Sequence, residues 1–296
     1  MSKRQLLMGC LTGAWILTAV PVWAGANEDA SKAFTEGKAL LAKGDFDGAL
    51  KAYAEAAKAD SDKKQEYRQQ YAILRQVITM RSAVETEKNP QKSQAMIRAL
   101  RSFYRQNSLH SEALALDKKA FAKSNSAESA AALAQTQLAM GMNREASQFL
   151  GGLDEKLLTS ETRILLGIAL ARQKKIDAAK AALDKCKLEK DAQDYGLLYN
   201  MACAKALVGD HAGALDMLTQ AFQATPPSRL DFLKADAKKD SDLAGLAGSA
   251  GFEKALKTES KVKESKCSGG SSCGNCPSRG SCSSGGAGSS RTSEKK

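Results

Sequence analysis

The chain of 296 residues has an ordinary hydrophobic share of 43%, only 5% aromatic residues and a formal net charge of +11. Few aromatic and proline residues together with abundant alanine favour α-helices that pack closely through small side chains, and they disfavour an enzyme core built around a cofactor. The charge is concentrated, with net +8 over residues 63–123 and +5 over 257–296. Such an excess is typical of a solvated basic face or of a surface for an acidic partner, an anionic membrane or a polyanion.

The first 24 residues have the three parts of a secretory signal peptide. Two basic residues, Lys3 and Arg4, precede an apolar run that ends near Pro21, and small residues around Ala24 and Ala26 offer a cleavage site. We therefore predict that residues 1–24 are a signal peptide and that the protein is exported, to the periplasm or another extracytoplasmic part of the cell envelope.

Two alternatives to cleavage would keep the chain at a membrane. The apolar run approaches the length that spans a bilayer, so it would serve as an anchor if uncleaved. Leu7-Met8-Gly9-Cys10 resembles a bacterial lipoprotein cleavage box, although most of the apolar stretch follows Cys10. Membrane association is expected only in these two cases. Nucleic acid is not an expected partner, because no recognition motif is present.

A repeated spacing of small residues is the main signal in the sequence. In the first copy Gly37 lies twelve residues before Ala49, a Gly44-Asp45 turn separates them, and Tyr53 follows. This pattern predicts two antiparallel helices that cross closely. The twelve-residue spacing recurs at Ala134 and Ala146, Gly167 and Ala179, and Ala202 and Ala214, with a weaker copy at Arg101 and Ala113. From Ala113 onward the second members follow one another at intervals of 33, 33 and 35 residues.

Over residues 30–228 the chain resembles the tetratricopeptide repeat family, whose unit is a helix–turn–helix of 34 residues. The resemblance implies an all-α, right-handed superhelical solenoid of antiparallel helical hairpins over residues 25–228. Three features depart from the family pattern. The usual early tryptophan is absent, and Asp117 stands where an aromatic residue would pack. Residues 63–93 are degenerate: Lys63 to Glu87 is predicted as one long helix or as a degenerate hairpin, with Asn89-Pro90 as its end.

Residues 229–257 resemble the end-of-group module that closes some tetratricopeptide arrays. The resemblance rests on a short helix followed by Asp240-Ser241-Asp242-Leu243. A terminal repeat must cover the apolar face of its neighbour. We therefore expect five apolar side chains to pack on the last hairpin: Leu230, Leu233, Leu243, Leu246 and Phe252.

No catalytic constellation is found, and the chain is predicted not to be an enzyme. The two histidines, His110 and His211, each stand alone near a predicted turn. No phosphate loop, paired zinc histidines or nucleophile elbow occurs. Cys186 and Cys203 are best interpreted as small core thiols, although they could pair in an oxidising compartment.

The tail, residues 258–296, is rich in serine, glycine and cysteine and is expected to be disordered unless its thiols are cross-linked. Four cysteines occur there at C-x5-C-x2-C-x5-C spacing: Cys267, Cys273, Cys276 and Cys282. Two disulfides and a tetrahedral zinc site both fit four cysteines, and the outer gaps match no zinc motif, so disulfides are favoured over metal. Apart from this zinc, no cofactor is expected.

In tetratricopeptide arrays the first helix of each hairpin lines the groove that holds a partner. Transferred to this chain, that rule gives five partner-binding candidates: Arg98, Ser102, Arg105, Gln135 and Asn200. Arg98 and Arg105 would pair with a carboxylate or an acidic peptide side chain. The leading hypothesis is therefore an exported scaffold or adaptor that binds a protein or peptide. The alternative is a metal- or redox-handling envelope protein that works through its four-cysteine tail.

Overall fold

The computed structural model describes residues 23–59, 62–188 and 194–263. Within these ranges the chain is all-α and contains no β-strand. The helices of the first half are α1 (Trp23–Ala42), α2 (Phe46–Lys58), α3 (Lys64–Thr86), α4 (Pro90–Gln106), α5 (His110–Ser124) and α6 (Ala127–Ala139). The second half adds α7 (Asn143–Gly151), α8 (Ser160–Arg172), α9 (Ile176–Leu183), α10 (Tyr195–Leu207), α11 (His211–Ala224), α12 (Pro227–Ala237) and α13 (Ala250–Leu256), with 3₁₀ segments at Glu155–Leu157 and Ser241–Leu246.

Consecutive helices pack against one another along the chain, which confirms the predicted solenoid of antiparallel helical hairpins. The hairpins that follow the twelve-residue spacing are α1/α2, α4/α5, α6/α7, α8/α9 and α10/α11. No helix among the described residues is long and apolar enough to cross a membrane. The first 22 residues of the predicted signal peptide lie outside the described residues, and so do the four cysteines of the tail.

The small residue of each repeat lies where its two helices cross. A Cβ atom built on Gly37 would lie 2.5 Å from two ring carbons of Tyr53. A Cβ atom on Gly167 would lie 2.7 Å from Cδ2 of Leu183. In both hairpins the large partner follows sixteen residues after the glycine. Ala134 with Leu150, and Ala202 with Leu218, occupy the same positions and are fully buried.

The turns of these five hairpins are alike. Each has one residue with a positive φ angle, seven residues after the small-residue position: Gly44, Ser108, Gly141, Lys174 and Gly209. In each turn the next backbone N–H donates to the carbonyl five residues earlier, for example from Asp45 to Leu40 and from Lys175 to Leu170, both at 3.0 Å. Glycine adopts this conformation without strain, whereas Ser108 and Lys174 adopt it at a steric cost from their Cβ atoms.

Helix α3 resolves the open question about residues 63–93. It is a single helix, and it buries one stripe formed by Tyr67, Leu74 and Val77. The Tyr67 ring packs against Phe34 of α1 with ring centroids 4.5 Å apart. Asn89 and Pro90 begin the next helix, because the Asn89 side chain accepts a hydrogen bond from the Lys92 amide and Pro90 is the first residue of α4.

The buried apolar residues form two large clusters. The first joins α1 to α5 and runs from Ala30 to Ala113, and the second runs from Ala131 to Ala255. A fully buried charged residue, Asp117, lies in the sequence between them. The polar contacts around Asp117 therefore lie where the two cores meet.

The end of the described chain packs on the last hairpin as expected. Leu230, Leu243, Leu246 and Phe252 are buried in the second cluster, and Leu233 is partly buried against it. Helix α13 approaches α11 so closely that a Cβ atom on Gly251 would lie 2.5 Å from Leu215. This segment covers the apolar face of α10 and α11, which is the physical task of a terminal cap.

Candidate functional site

One cleft of about 410 Å³ brings together three of the five residues predicted to bind a partner. Arg105 reaches it from the last turn of α4, Gln135 from the middle of α6 and Asn200 from α10. Its apolar wall consists of Leu138, Leu165 and Ile168, and its far end is formed by Tyr195, Tyr199, Leu233, Asp240 and Asp242. The cleft is thus lined by the first helices of four successive hairpins, α4, α6, α8 and α10, and by the terminal segment.

Arg105 and Gln135 are hydrogen-bonded to each other. Both terminal nitrogens of Arg105 donate to Gln135 Oε1 at 3.3 Å, and Nη2 also donates to Thr136 Oγ1 at 3.3 Å. Gln135 Nε2 then donates to Glu161 Oε1 of α8 at 3.0 Å. Every link has a definite donor and acceptor, so the contacts fix the orientation of both side chains.

The same chain of hydrogen bonds extends into the protein interior. The Thr136 hydroxyl donates to Asp117 Oδ2 at 2.7 Å, and Arg101 Nε donates to Asp117 Oδ1 at 2.7 Å. Asp117 is fully buried, and the Arg101 side chain is 14% exposed. A buried carboxylate is tolerated only when it is paired and hydrogen-bonded, and these two contacts supply both conditions. The interior of the α4/α5 hairpin is thereby connected to the cleft.

Arg105 differs from two other arginines on the inner helices, Arg98 outside the cleft and Arg172 within it, in having only neutral acceptors. Arg98 pairs with Glu128 at 3.3 Å, and Arg172 pairs with Asp242 at 2.7 Å. Among the described residues, no carboxylate lies within ion-pair distance of Arg105. Its guanidinium is therefore held in place by an amide and a hydroxyl while its charge is left without a direct counterion.

The terminal segment is hydrogen-bonded to α8 and α10 beside the cleft. Arg172 grips Asp242 through two parallel hydrogen bonds, Nε to Oδ1 at 2.9 Å and Nη2 to Oδ2 at 2.7 Å, and its Nη1 donates to the Leu138 carbonyl at 3.0 Å. The Tyr199 hydroxyl donates to Asp240 Oδ2 at 2.8 Å. A two-pronged arginine–carboxylate contact is among the stronger polar interactions in proteins, so it anchors the cap to α8.

Cys203, Asp240 and Asp242 have ligand atoms within 4.8 Å of one another, which is close enough for a metal ion. Their chemistry does not suit one. Both oxygens of Asp242 are engaged by Arg172, and burial raises the pKa of the Cys203 thiol, which keeps it protonated as a hydrogen-bond donor to Asp240. Burial likewise raises the pKa of Cys186 to about 11. Both cysteines are free thiols in the structure.

Glu161 of α8 is the carboxylate in which the hydrogen-bonded chain ends. Burial raises its pKa, and the nearby charges of Asp194 and Glu128 add to the effect. All three acids lie in the first turn or at the cap of an inner helix, where the helix dipole favours negative charge. The three acids lie near one another at the beginnings of α6, α8 and α10, and Glu161 is linked to Arg105 through Gln135.

The structure does not bring Arg98 and Ser102 into this cleft. Arg98 lines a separate cavity and is ion-paired with Glu128. Ser102 is exposed on α4 and accepts a hydrogen bond from Gln106 at 3.3 Å.

Sequence reasoning missed Arg172, Tyr199 and Asp240 as cleft residues. Arg172 could have been found, because it lies on the first helix of its hairpin as Arg105 does. Asp240 and its neighbour Asp242 were interpreted only as part of a cap. Their contacts with the inner helices span up to 70 residues of sequence, and such a distance leaves no local pattern.

Comparisons with known proteins add little to this geometry. No protein-family model matches the sequence, and no curated protein matches it. A similar solved structure is that of YrrB, described as a TPR protein with an unusual peptide-binding site. It is 18% identical, with 73% of this chain and 98% of that chain covered, and the TM-score is 0.29. At that TM-score neither a fold nor a site can be transferred, so the evidence for this chain is its own hairpin register and its own cleft.

Proposed function

We propose that this protein is an exported scaffold or adaptor that holds a protein or peptide partner in the cleft between α6, α8 and α10. The observation that carries the proposal is the position of Arg105. It points into a shared cleft with Gln135 and Asn200, and it is oriented by neutral acceptors only. A carboxylate of the partner would complete its hydrogen bonding with a charge-assisted contact.

The dimensions and lining of the cleft suit a short segment of a partner rather than a whole domain surface. Its volume of about 410 Å³ is within the range of about 300–1,000 Å³ that is usual for ligand sites. Leu138, Leu165 and Ile168 offer apolar contact, and Asn200 offers an amide that makes no hydrogen bond among the described residues. An amide of this kind is suited to the backbone of an extended peptide.

A pull-down with chemical crosslinking from the native cell envelope tests this proposal. The full chain is compared with Arg105→Glu and with the matched control Arg98→Glu, which changes the same charge outside the cleft. Capture that is lost with Arg105→Glu and kept with Arg98→Glu supports binding in the cleft. Equal capture by the wild type and Arg105→Glu, with circular dichroism showing both folded, contradicts it.

A chain that lacks residues 267–296 separates the scaffold from the tail. The proposal expects this shortened chain to capture the same partner. If this deletion abolishes capture while Arg105→Glu leaves capture unchanged, the activity belongs to the four-cysteine tail instead.

A further inference from the structure

Two adjoining cavities lie between α3, α4 and α5, away from the cleft. Their volumes are about 330 Å³ and about 250 Å³. Ser93, Ile97, Ala120 and Lys123 border both of them, so the two cavities meet at these side chains. Both are partly open to solvent, and the volume of the larger one is within the range of about 300–1,000 Å³ that is usual for ligand sites.

The walls of the cavities are mostly hydrocarbon. The larger cavity is lined by Val84 of α3, Ile97 and Leu100 of α4, and Leu116 and Ala120 of α5. The apolar residues of the smaller cavity are Pro90, Ile97 and Ala120. A peptide in such a space would leave its backbone N–H and C=O groups without partners, which is unfavourable. An alkyl chain has no such groups, and its burial is favoured by the hydrophobic effect. The lining therefore selects a ligand with an apolar chain.

Among the described residues, two lysines that line the cavities, Lys88 and Lys123, make no ion pair, and of the two only Lys123 borders both cavities. The four nearby carboxylates are already paired: Glu85 with Lys119, Glu87 with Lys92, Glu112 with Arg81, and Glu128 with Arg98. Lys123 makes one contact among the described residues, from its Nζ to the backbone carbonyl of Glu87 at 3.5 Å. Because Lys123 stands where the two cavities join, its charge is available to an anion whose apolar part lies inside.

We propose that this space binds a single-chain fatty-acid anion. Its carboxylate lies at Lys123, and its alkyl chain lies between α4 and α5, against Ile97, Leu100 and Leu116. The site is separate from the cleft proposed for a protein partner, and the two proposals can fail independently. The net charge of +8 over residues 63–123 favours an anion over a cation of the same length.

Calorimetric titration of the full chain with dodecanoate, below its micelle concentration, tests the proposal. Saturable binding of one molecule is expected. Ile97→Trp fills the junction of the cavities and should weaken binding at least tenfold, whereas Ile73→Trp adds the same side chain at an exposed position of α3 and should not. If Ile97→Trp fails to fold by circular dichroism, Ala120→Leu fills the same junction.

A second pair of variants tests the position of the carboxylate. Lys123→Met should weaken dodecanoate binding severalfold and leave dodecanol binding unchanged. Lys118→Met, at an exposed position of the same helix that does not line the cavities, should alter neither. The proposal is overturned if no saturable binding is found, if folded cavity-filling variants bind like the wild type, or if Lys123→Met and Lys118→Met behave alike.

Discussion

The hairpins α1/α2 and α4/α5 share one repeat register but close their helix crossings by different means. In α1/α2, the ring of Tyr53 packs against Gly37, where a Cβ atom would lie 2.5 Å from two of its ring carbons. In α4/α5 the same two positions carry Arg101 and Asp117, which form a buried ion pair at 2.7 Å. A large residue at the small position and a small acidic residue at the large position thus compensate each other.

The difference shows what a departure from a repeat can achieve. The Gly37–Tyr53 contact stays within its hairpin, since the Tyr53 ring packs on Phe34 of α1 and its hydroxyl makes no hydrogen bond among the described residues. The Asp117 carboxylate has a second oxygen, which accepts from Thr136 and so connects to Arg105 in the cleft. The hairpin with the weakest repeat signal is therefore the one that is tied to the candidate site by hydrogen bonds.

The largest expected effect comes from breaking the buried ion pair. Asp117→Ala should lower the free energy of unfolding by about 3–5 kcal/mol, because it leaves the largely buried Arg101 without a counterion. Replacing both partners, with Arg101→Met and Asp117→Leu, should recover most of that loss. Urea unfolding measures both. Lys119→Ala, which breaks an exposed pair on the same helix, should cost no more than about 1 kcal/mol. If Asp117→Ala costs no more than this control, the ion pair does not stabilise the hairpin.

Crowding the apolar crossing tests the other hairpin. Gly37→Ala should destabilise by about 1–3 kcal/mol, because the added Cβ atom overlaps the Tyr53 ring at 2.5 Å. Gly151→Ala is the matched control, since no heavy atom lies within 4 Å of its Cβ position. Urea unfolding should show the first variant weakened and the second unchanged or improved. Equal stability of the two would mean that the Tyr53 ring yields to the methyl group without cost.

The turns of the two hairpins differ by a smaller amount. Gly44 in α1/α2 and Ser108 in α4/α5 both have a positive φ angle. Ser108→Gly and Lys174→Gly should each raise the free energy of unfolding by about 0.5–1 kcal/mol. Glycine removes the strain of the left-handed conformation, and this gain outweighs the larger loss of backbone conformational entropy when glycine folds. Gly209→Ala, with φ +86 and open space around it, should lose about 1 kcal/mol. Thermal unfolding of the three variants shows whether each change raises or lowers stability. A loss of stability in both glycine variants would contradict the claim that Ser108 and Lys174 are strained.

The smallest effect is expected at Glu161, in which the hydrogen-bonded chain ends. Because its pKa is raised in the folded state, the folded protein binds this proton more tightly than the unfolded chain. Glu161 therefore lowers stability at neutral pH, and that penalty fades as the pH falls through the raised pKa and is gone below the unfolded value of about 4.3. Glu161→Gln should stabilise the protein by about 0.5 kcal/mol or less at pH 7 and not at pH 4.

Urea unfolding at both pH values measures this difference for Glu161→Gln and for the exposed control Glu145→Gln. A gain for Glu161→Gln that does not depend on pH would show that proton binding is not its cause.

Parts of the candidate site follow from repeat position alone. Arg105, Gln135 and Asn200 were predicted because the first helix of a hairpin faces a common side, and the structure places all three in one cleft. The same rule included Arg98 and Ser102, which lie elsewhere. The rotation between successive hairpins decides which residues of an inner helix reach a given cleft. The sequence of a single repeat does not determine that angle.

The sequence by itself determined the all-α class, the hairpin register and three of the five turns. These features depend on small residues and glycines at fixed spacings within some forty residues, so local sterics decide them. Only the tertiary structure decided that α3 is a single helix, that Asp117 pairs with Arg101 and reaches Arg105, and that Arg172 grips Asp242 from 70 residues away. Those contacts join side chains on different helices, and the energy of a buried charge is set by partners that meet only in the folded chain.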